Sequence, residues 1–453
     1  MIDSTSESAG GLPIRVHSAR PSNFLPDKAD AIVIGGGIIG LLTAARLREA
    51  GLDTVVLEAA NLGSGQSGRN LGFIRSQGRN AAESKLMVRS LELWDELSRR
   101  LGRDLSFRRA GHLSLAADRQ AAEEVSSWSG IAARNRIRFE SQSAEALRGT
   151  APWLTDGYIE AGYTPDDGQA EPADVMRELG IFVRALGAKV FEQTRVISLK
   201  VNGNSVAGVK TSVGEIASRT IVLATGAWTR RLLAVHGVVL PTHAGHATLA
   251  ATKPVPNFVG QTVWEVGRLG FRQDSRGRLV FGFGGYVDIR VRWEDLCSAF
   301  TLLPEYLRNR GKMKLHVGQP LARDVLKAVT GRQLHPFEWR ENEPNYGQAA
   351  AGLDRLSAVL ALPFSGKLEL ETAWSGLIDV TADHLPAIGD VGIEGLVVAA
   401  GMSGHGFGLA PSLAENIAAL ALRQSHKASA LANFAPDRLR GFRPYGSPRY
   451  VKY

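Results

Sequence analysis

The chain has 453 residues, 44% of them hydrophobic, with one cysteine and a formal net charge of +8 from 53 Lys+Arg against 45 Asp+Glu. That length and apolar share suit a globular protein of two or three domains with a large core. Cys297 alone excludes an internal disulfide and a multi-cysteine metal site and agrees with a reducing, cytoplasmic setting, while basic residues scattered along the chain argue against a nucleic-acid partner.

Residues 1–29 are rich in Ser, Gly, Pro and charge, lack the apolar centre of a secretory signal, and read as a flexible leader. The next stretch, "AIVIGGGIIGLLTAARLREAGLDTVVLEA", is uncharged only from Ala31 to Ala45. That falls short of the roughly 20 apolar residues of a spanning helix, so no transmembrane segment is expected. A short apolar strand from Asp30 to Ile34 runs into Gly35, Gly37 and Gly40 at G-x-G-x-x-G spacing, then a helical pattern reaches Gly51, and a second strand from Thr54 to Leu57 ends at Glu58. The first glycine permits the turn, the second lets backbone approach a pyrophosphate, and the third lets helix and strand pack closely. The helix start faces the phosphates with unpaired N–H groups. Glu58 accepts from ribose hydroxyls and repels a 2′-phosphate, which disfavours NADP. Gly35, Gly36, Gly37, Ile38, Ile39, Gly40 and Glu58 are therefore candidate dinucleotide contacts, with NAD and FAD both open at this point.

Downstream lies a glycine-, serine- and cation-rich loop, "NLGSGQSGRNLGFIRSQGRN" (Asn61 to Asn80), then a helix from Ala82 to Leu101 whose Met87, Leu91, Trp94 and Leu97 share one face. Trp94 is accordingly a core residue. "PDDGQAEPADVMREL" (Pro165 to Leu179) reads as loop and helix, and Gly187 to Leu233 as strand, three-stranded meander and strand closing on "ATGAW". From Val238 to Gly285 antiparallel strands are expected, with a hairpin at Ser275 to Gly277, and from Asp295 to Leu360 the period is helical. His243 and His246 in "THAGH" lack a carboxylate or cysteine at ligand spacing, so no metal is expected. A third glycine-rich block, "AAGMSGHGFGLAP", opens a long apolar helix. The tail "DRLRGFRPYGSPRYVKY" carries five cations and three tyrosines and reads as a solvated end.

Taken in order, these segments resemble the FAD-dependent D-amino acid oxidase superfamily, in its glycine and sarcosine oxidase branch, and "SGRNLGFIRS" is similar to the flavin-bearing beta subunit of multi-subunit sarcosine oxidases. The resemblance implies an α/β fold: a Rossmann-like FAD-binding domain of the glutathione reductase type with a discontinuous antiparallel-sheet substrate domain. The expected boundaries are residues 30–110, 160–235 and 370–425 for the cofactor domain, 111–159 and 236–369 for the substrate domain, and 426–453 for the tail. Further FAD contacts implied are Ser67, Gly68, Arg69, Asn70 and Gly72 along the pyrophosphate and ring, Val196 at the adenine, and Thr225, Gly226 and Trp228 over the diphosphate. Gly401, Ser403, Gly404, His405, Gly406 and Phe407 are implied beside the flavin's N1–C2=O edge, where a helix start offsets charge gained on reduction. Ala382 stands where the family usually has proline, and Cys297 matches no covalent linkage motif, so the FAD is expected to be noncovalent.

A flavin of this kind accepts a hydride at N5 from a carbon bearing an amine, giving an imine that water hydrolyses. The protein's task is positioning, which makes an anchor for the substrate the residue to seek. The resemblance points to Arg75 for a substrate carboxylate, since a guanidinium offers two parallel hydrogen bonds. His405 is a candidate for proton transfer, and Arg268 and Arg272 for basic groups facing the site. The expected partners are a small amine or amino acid and dioxygen or another electron acceptor. No equivalent of the branch's oxygen-activating lysine is evident, leaving oxidase and dehydrogenase open. A flavin-carrying electron-relay subunit of a multi-component enzyme, and an oxidase of a polyamine or opine-like compound, are the alternatives. A hydroxylating monooxygenase would need a second nucleotide loop, and none is seen in the sequence.

Overall fold

The computed structural model describes residues 24–101, 105–284, 287–330, 343–364, 366 and 368–439. Two sheets organise them. One has six strands in the order Ala387–Gly389, Leu396–Ala400, Ile221–Leu223, Ala31–Ile34, Thr54–Leu57, Lys189–Phe191. All neighbours run parallel except the pair Ala387–Gly389 and Leu396–Ala400.

The central strands of this sheet are buried on both faces, which is why they read as unbroken aliphatic runs. Helices Ile38–Glu49, Ala81–Leu101, Pro172–Ala185 and Gly406–Ala421 cover one face and form the largest core with it. The meander Val196–Asn202, Ser205–Thr211, Glu215–Ala217 covers the other. The first helix is buried nearly all round, because it lies between the sheet and the helix Gly406–Ala421.

The second sheet has ten strands among the described residues. Its longest members, Thr242–Thr252 and Leu370–Thr381, pair antiparallel along almost their whole length. Helix Tyr346–Val359 packs on this sheet over Leu269, Phe271, Leu279 and Phe281. The predicted hairpin is present, Leu269–Gln273 turning at Ser275–Gly277 into Leu279–Phe283. Two pairings are parallel, Thr262–Glu265 with His112–Ala116 and Val287–Arg290 with Met313–His316, so the sheet is mixed rather than purely antiparallel.

Strand pairing shifts the expected boundaries. Glu160–Thr164 and Leu370–Thr381 hydrogen-bond within the large sheet, so the cofactor layer resumes after each of them rather than at residues 160 and 370. The tail also begins later, since Leu431 and Phe434 are buried against the cofactor core and Leu439 against the opposite face. At the other end Lys28 bridges Ala217, and Leu25 packs on the meander side. Residues 1–23 of the expected leader and 440–453 of the tail lie outside the described residues.

Candidate active site

The glycine motif folds as its spacing demands. A Cβ on Gly35, which holds φ +112, would lie 2.3 Å from the Ala224 carbonyl oxygen, and one on Gly40 would lie 2.0 Å from that of Gly35. These two glycines let strand, turn and helix close on one another. Gly36 packs against Leu62 and Glu58, and its N–H donates to the Glu58 carboxylate at 2.6 Å. At Gly37 and Gly65 the demand is different: an added Cβ would meet only the Ser67 hydroxyl at 3.0 Å and the Trp228 ring at 3.9 Å and would project into a cavity that both glycines line.

That cavity, of about 140 Å³, runs past Gly35, Glu58, Ser67, Val196, Thr225, Gly226 and Trp228. Burial pushes the Glu58 pKa up, and the amides of Ala60 and Gly36 pull it part of the way back. Ser67 accepts from the Ile38 N–H at 2.9 Å, tying the loop to the helix start. Ile39, Gln66, Ser67 and Met402 border this cavity and also a second one of about 270 Å³, so the two adjoin. The donor set fits a long ligand with a diphosphate at its middle: bare glycine backbone, a helix N-terminus, a serine hydroxyl and a terminal acid.

The second cavity opens between the sheets. Ile38, Arg69, Asn70, Arg75, Gly404, His405, Gly406 and Phe407 lie on its wall, with Trp264 and Met402. Helix Gly406–Ala421 presents its first residues there, its positive end toward the cavity. His405 is buried and meets Glu83 through Nδ1 at 2.8 Å. Burial, then the nearby Arg79, holds His405 below its ordinary pKa, while His405 and Arg79 overcome the upward push of burial on Glu83. Arg75 sits 5.6 Å from the centre of the Trp264 ring and donates to the Gln77 carbonyl at 3.1 Å.

Several expected contacts stand elsewhere. The Arg272 guanidinium is buried in an ion pair with Glu171, 2.8 Å through each terminal nitrogen, and its Nε donates to the Leu71 carbonyl. It braces the loop from behind and is not on the cavity wall. Arg268 is exposed beside Asp118 and Glu265. Ser403 donates to the Gly401 carbonyl and accepts from the Thr381 N–H, so Gly401 and Ser403 hold the turn whose next residues face the cavity. Gly68 and Gly72 likewise shape the loop, Gly72 because a Cβ there would lie 2.2 Å from the Ala170 carbonyl oxygen. Cys297 lies exposed at the end of helix Trp293–Cys297.

Other wall residues went unread in the sequence. Arg79 follows Arg75 by four residues in "IRSQGRN", a second cation that was the available signal. Glu305 and His384 come from segments distant from each other and from His243, which the sequence offered only as a metal ligand, and nothing local joins the three. Within the described residues no group of His, Cys, Asp and Glu is arranged to hold a metal, and no helix is long and apolar enough to cross a membrane.

A mainly parallel sheet whose first glycine turn and last helix border one slot, set against a second sheet, defines a dinucleotide-binding protein. Residues 30–420 match the model of the family described as FAD dependent oxidoreductase (DAO), and the chain belongs to that family, in the glycine and sarcosine oxidase-like branch, with FAD as its cofactor. It is 32% identical over 222 residues to 4-methylaminobutanoate oxidase (formaldehyde-forming) of Paenarthrobacter nicotinovorans, covering 49% of this chain and 27% of that one. Glycine oxidase of Bacillus licheniformis is 25% identical over 424 residues, 90% of this chain and 97% of that one. Among solved structures, L-amino acid deaminase from Proteus vulgaris shares the fold with a TM-score of 0.82 at 22% identity, covering 91% of this chain and 99% of that one. The chain spans 27%, 31% and 59% of the first curated relatives it matches, under two thirds of each.

Proposed function

We propose that the protein oxidises the carbon–nitrogen bond of a small amine carrying a carboxylate, an amino acid or an N-substituted amino acid. The observation that carries this is the pair Arg75 and Arg79 on the wall of a largely apolar cavity that also holds the Gly404–Phe407 turn. Bound FAD supplies the two-electron acceptor. Arg75 grips the carboxylate, the apolar wall excludes water, and the His405–Glu83 pair fixes the turn and its amides. Glycine and 4-methylaminobutanoate, named in two relatives, each join an amine to a carboxylate, which supports the reading.

The final acceptor is dioxygen or a redox partner, and the setting proposed is cytoplasmic. A relay subunit in a larger assembly is the second reading, favoured by the likeness of the Ser67–Ser76 segment to a subunit of multi-component oxidases. Anaerobic bleaching of the purified chain by amino acids, with no partner added, separates the two. Arg75→Ala is expected to raise KM about 100-fold, the worth of a charge-assisted bidentate contact, while flavin content stays at the wild-type level. An unchanged KM removes the anchor.

A further inference from the structure

Away from the arginine loop the same cavity wall carries a second polar cluster. Glu305 comes from helix Ala299–Asn309, His243 from strand Thr242–Thr252 and His384 from the turn after strand Leu370–Thr381. Glu305 is 1% exposed, and neither of its carboxyl oxygens receives a hydrogen bond among the described residues. The nearest donors are His243 Nδ1 at 3.4 Å and His384 Nε2 at 3.7 Å. Those distances exceed good hydrogen bonds. A carboxyl left without partners in a cavity wall is costly unless a ligand brings the missing donor.

The charge state sharpens the point. Burial pushes Glu305 up to about 8, with Arg308 opposing and Asp383 assisting. Burial brings His243 down to about 3, with Arg230 and His384 acting the same way. His384 falls to about 4 through burial, then His405, with Arg308 adding and Asp383 and Glu83 opposing. At neutral pH the cluster is thus an uncharged acid between uncharged imidazoles rather than an ion pair.

We propose that Glu305 receives the substrate's amino nitrogen and takes its proton, while the arginine loop holds the carboxylate of the same molecule. The inference rests on the amine-oxidation reading and adds a catalytic residue to it. The step is a proton transfer alone: Glu305 gives its own proton to solvent as the substrate binds, then an N–H bond of the ammonium breaks, an O–H bond on the Glu305 carboxylate forms, and the electron pair stays on nitrogen. No electron is exchanged. The nitrogen lone pair is then available to form the C=N bond as the carbon–hydrogen electrons leave. The reactive complex therefore holds one proton between nitrogen and carboxyl, one fewer than the free acid and free ammonium carry together at neutral pH.

Two measurements on the flavin-loaded protein test this. In the first, 2-methylalanine, which lacks the reacting carbon–hydrogen bond, is titrated into wild type near pH 7 by calorimetry in buffers of different ionisation enthalpy, with sarcosine's oxidised-state binding excluded by the choice of probe. Release of about one proton per bound probe is expected. Binding without proton release overturns the proposal, and so does failure of both 2-methylalanine and glycine to perturb the flavin spectrum. In the second, anaerobic flavin reduction by glycine, sarcosine and 4-methylaminobutanoate is followed against pH. Wild type is expected to show an acid limb near 8. Glu305→Asp should keep a limb below the amine's own pKa, and Glu305→Gln should move the limb up to that pKa with at least about tenfold slower reduction near neutrality. An unmoved limb in a Glu305→Gln protein of full flavin content overturns the assignment. If no amine reduces the flavin, the functional reading fails by itself, and proton release still decides the role of Glu305.

Discussion

Gly40 and Gly51 bracket the same helix and answer to different constraints. Inside the helix, a Cβ on Gly40 would sit 2.0 Å from the Gly35 carbonyl oxygen, a backbone atom with no room to yield. Gly51 holds φ +90 with nothing within 4 Å of the added atom. Gly40→Ala is expected to displace the helix from the phosphate turn and to yield protein almost free of flavin, read from its visible absorbance relative to protein. Gly51→Ala should cost about 1–2 kcal/mol for the left-handed backbone and keep its flavin. A second residue-scale expectation concerns acid. His243 titrates near 3 in the fold, below the ordinary 6.5, so the unfolded chain takes up the proton first. The stability this histidine contributes is full above about 6.5 and drains away as the pH falls toward 3, by up to about 1.4 kcal/mol per unit. His243→Gln, which cannot titrate, should therefore lose less stability than wild type between pH 6 and 4 in urea melts. Parallel losses would mean that His243 is already protonated in the native protein.

Helix Ala81–Leu101 shows what a period of 3.6 reveals and what it leaves hidden. The period placed Trp94 in the core, and it is fully buried, with its indole N–H donating to the Gly408 carbonyl at 3.0 Å, where Ser90 also donates at 2.6 Å. Through that oxygen the helix clamps the start of Gly406–Ala421, whose first turn borders the cavity. Trp94→Ala should cost about 3–5 kcal/mol, whereas Trp94→Phe should recover most of the packing and lose chiefly the hydrogen bond, about 1 kcal/mol. Urea midpoints of the two variants check this, and equal midpoints would deny the bond any weight. Strands were less legible than helices. Strand Leu370–Thr381 is buried on both faces over much of its length, so no alternation marks it, and its partner lies more than a hundred residues away at Thr242–Thr252, a register that no local spacing encodes. Arg272 failed for a related reason. The resemblance implies a basic group facing the site, yet strand Leu269–Gln273 delivers the guanidinium to Glu171 behind the loop.

At the scale of the molecule, the glycine turns were legible because their demands are local, while the Glu305 cluster was not because it exists only where helix, strand and turn from both layers meet. A buried charge network also links these segments beside the slot. Arg231, on the wall of the dinucleotide cavity, pairs with Glu294 at 2.5 Å and with Asp324 at 2.7 Å, and Asp324 pairs in turn with Arg292 at 2.8 Å. Asp324 belongs to helix Gln319–Val329 of the substrate side, and Arg231 to the short helix Thr229–Ala234 of the cofactor side. Buried charges of this kind gain little over apolar packing, but removing one partner strands the others. Asp324→Leu should thus destabilise the protein by about 3–5 kcal/mol and, since Arg231 borders the cavity, release flavin at a lower temperature. Replacing Arg292 with Leu as well removes one of the two cations that faced Asp324, so the double variant should fall short of the summed single losses by about 1 kcal/mol or more. Flavin fluorescence and far-ultraviolet dichroism recorded on the same heating ramp read both effects. Additive losses, or flavin release at the wild-type temperature in Asp324→Leu, would mean that the network stiffens the substrate side without reaching the cofactor.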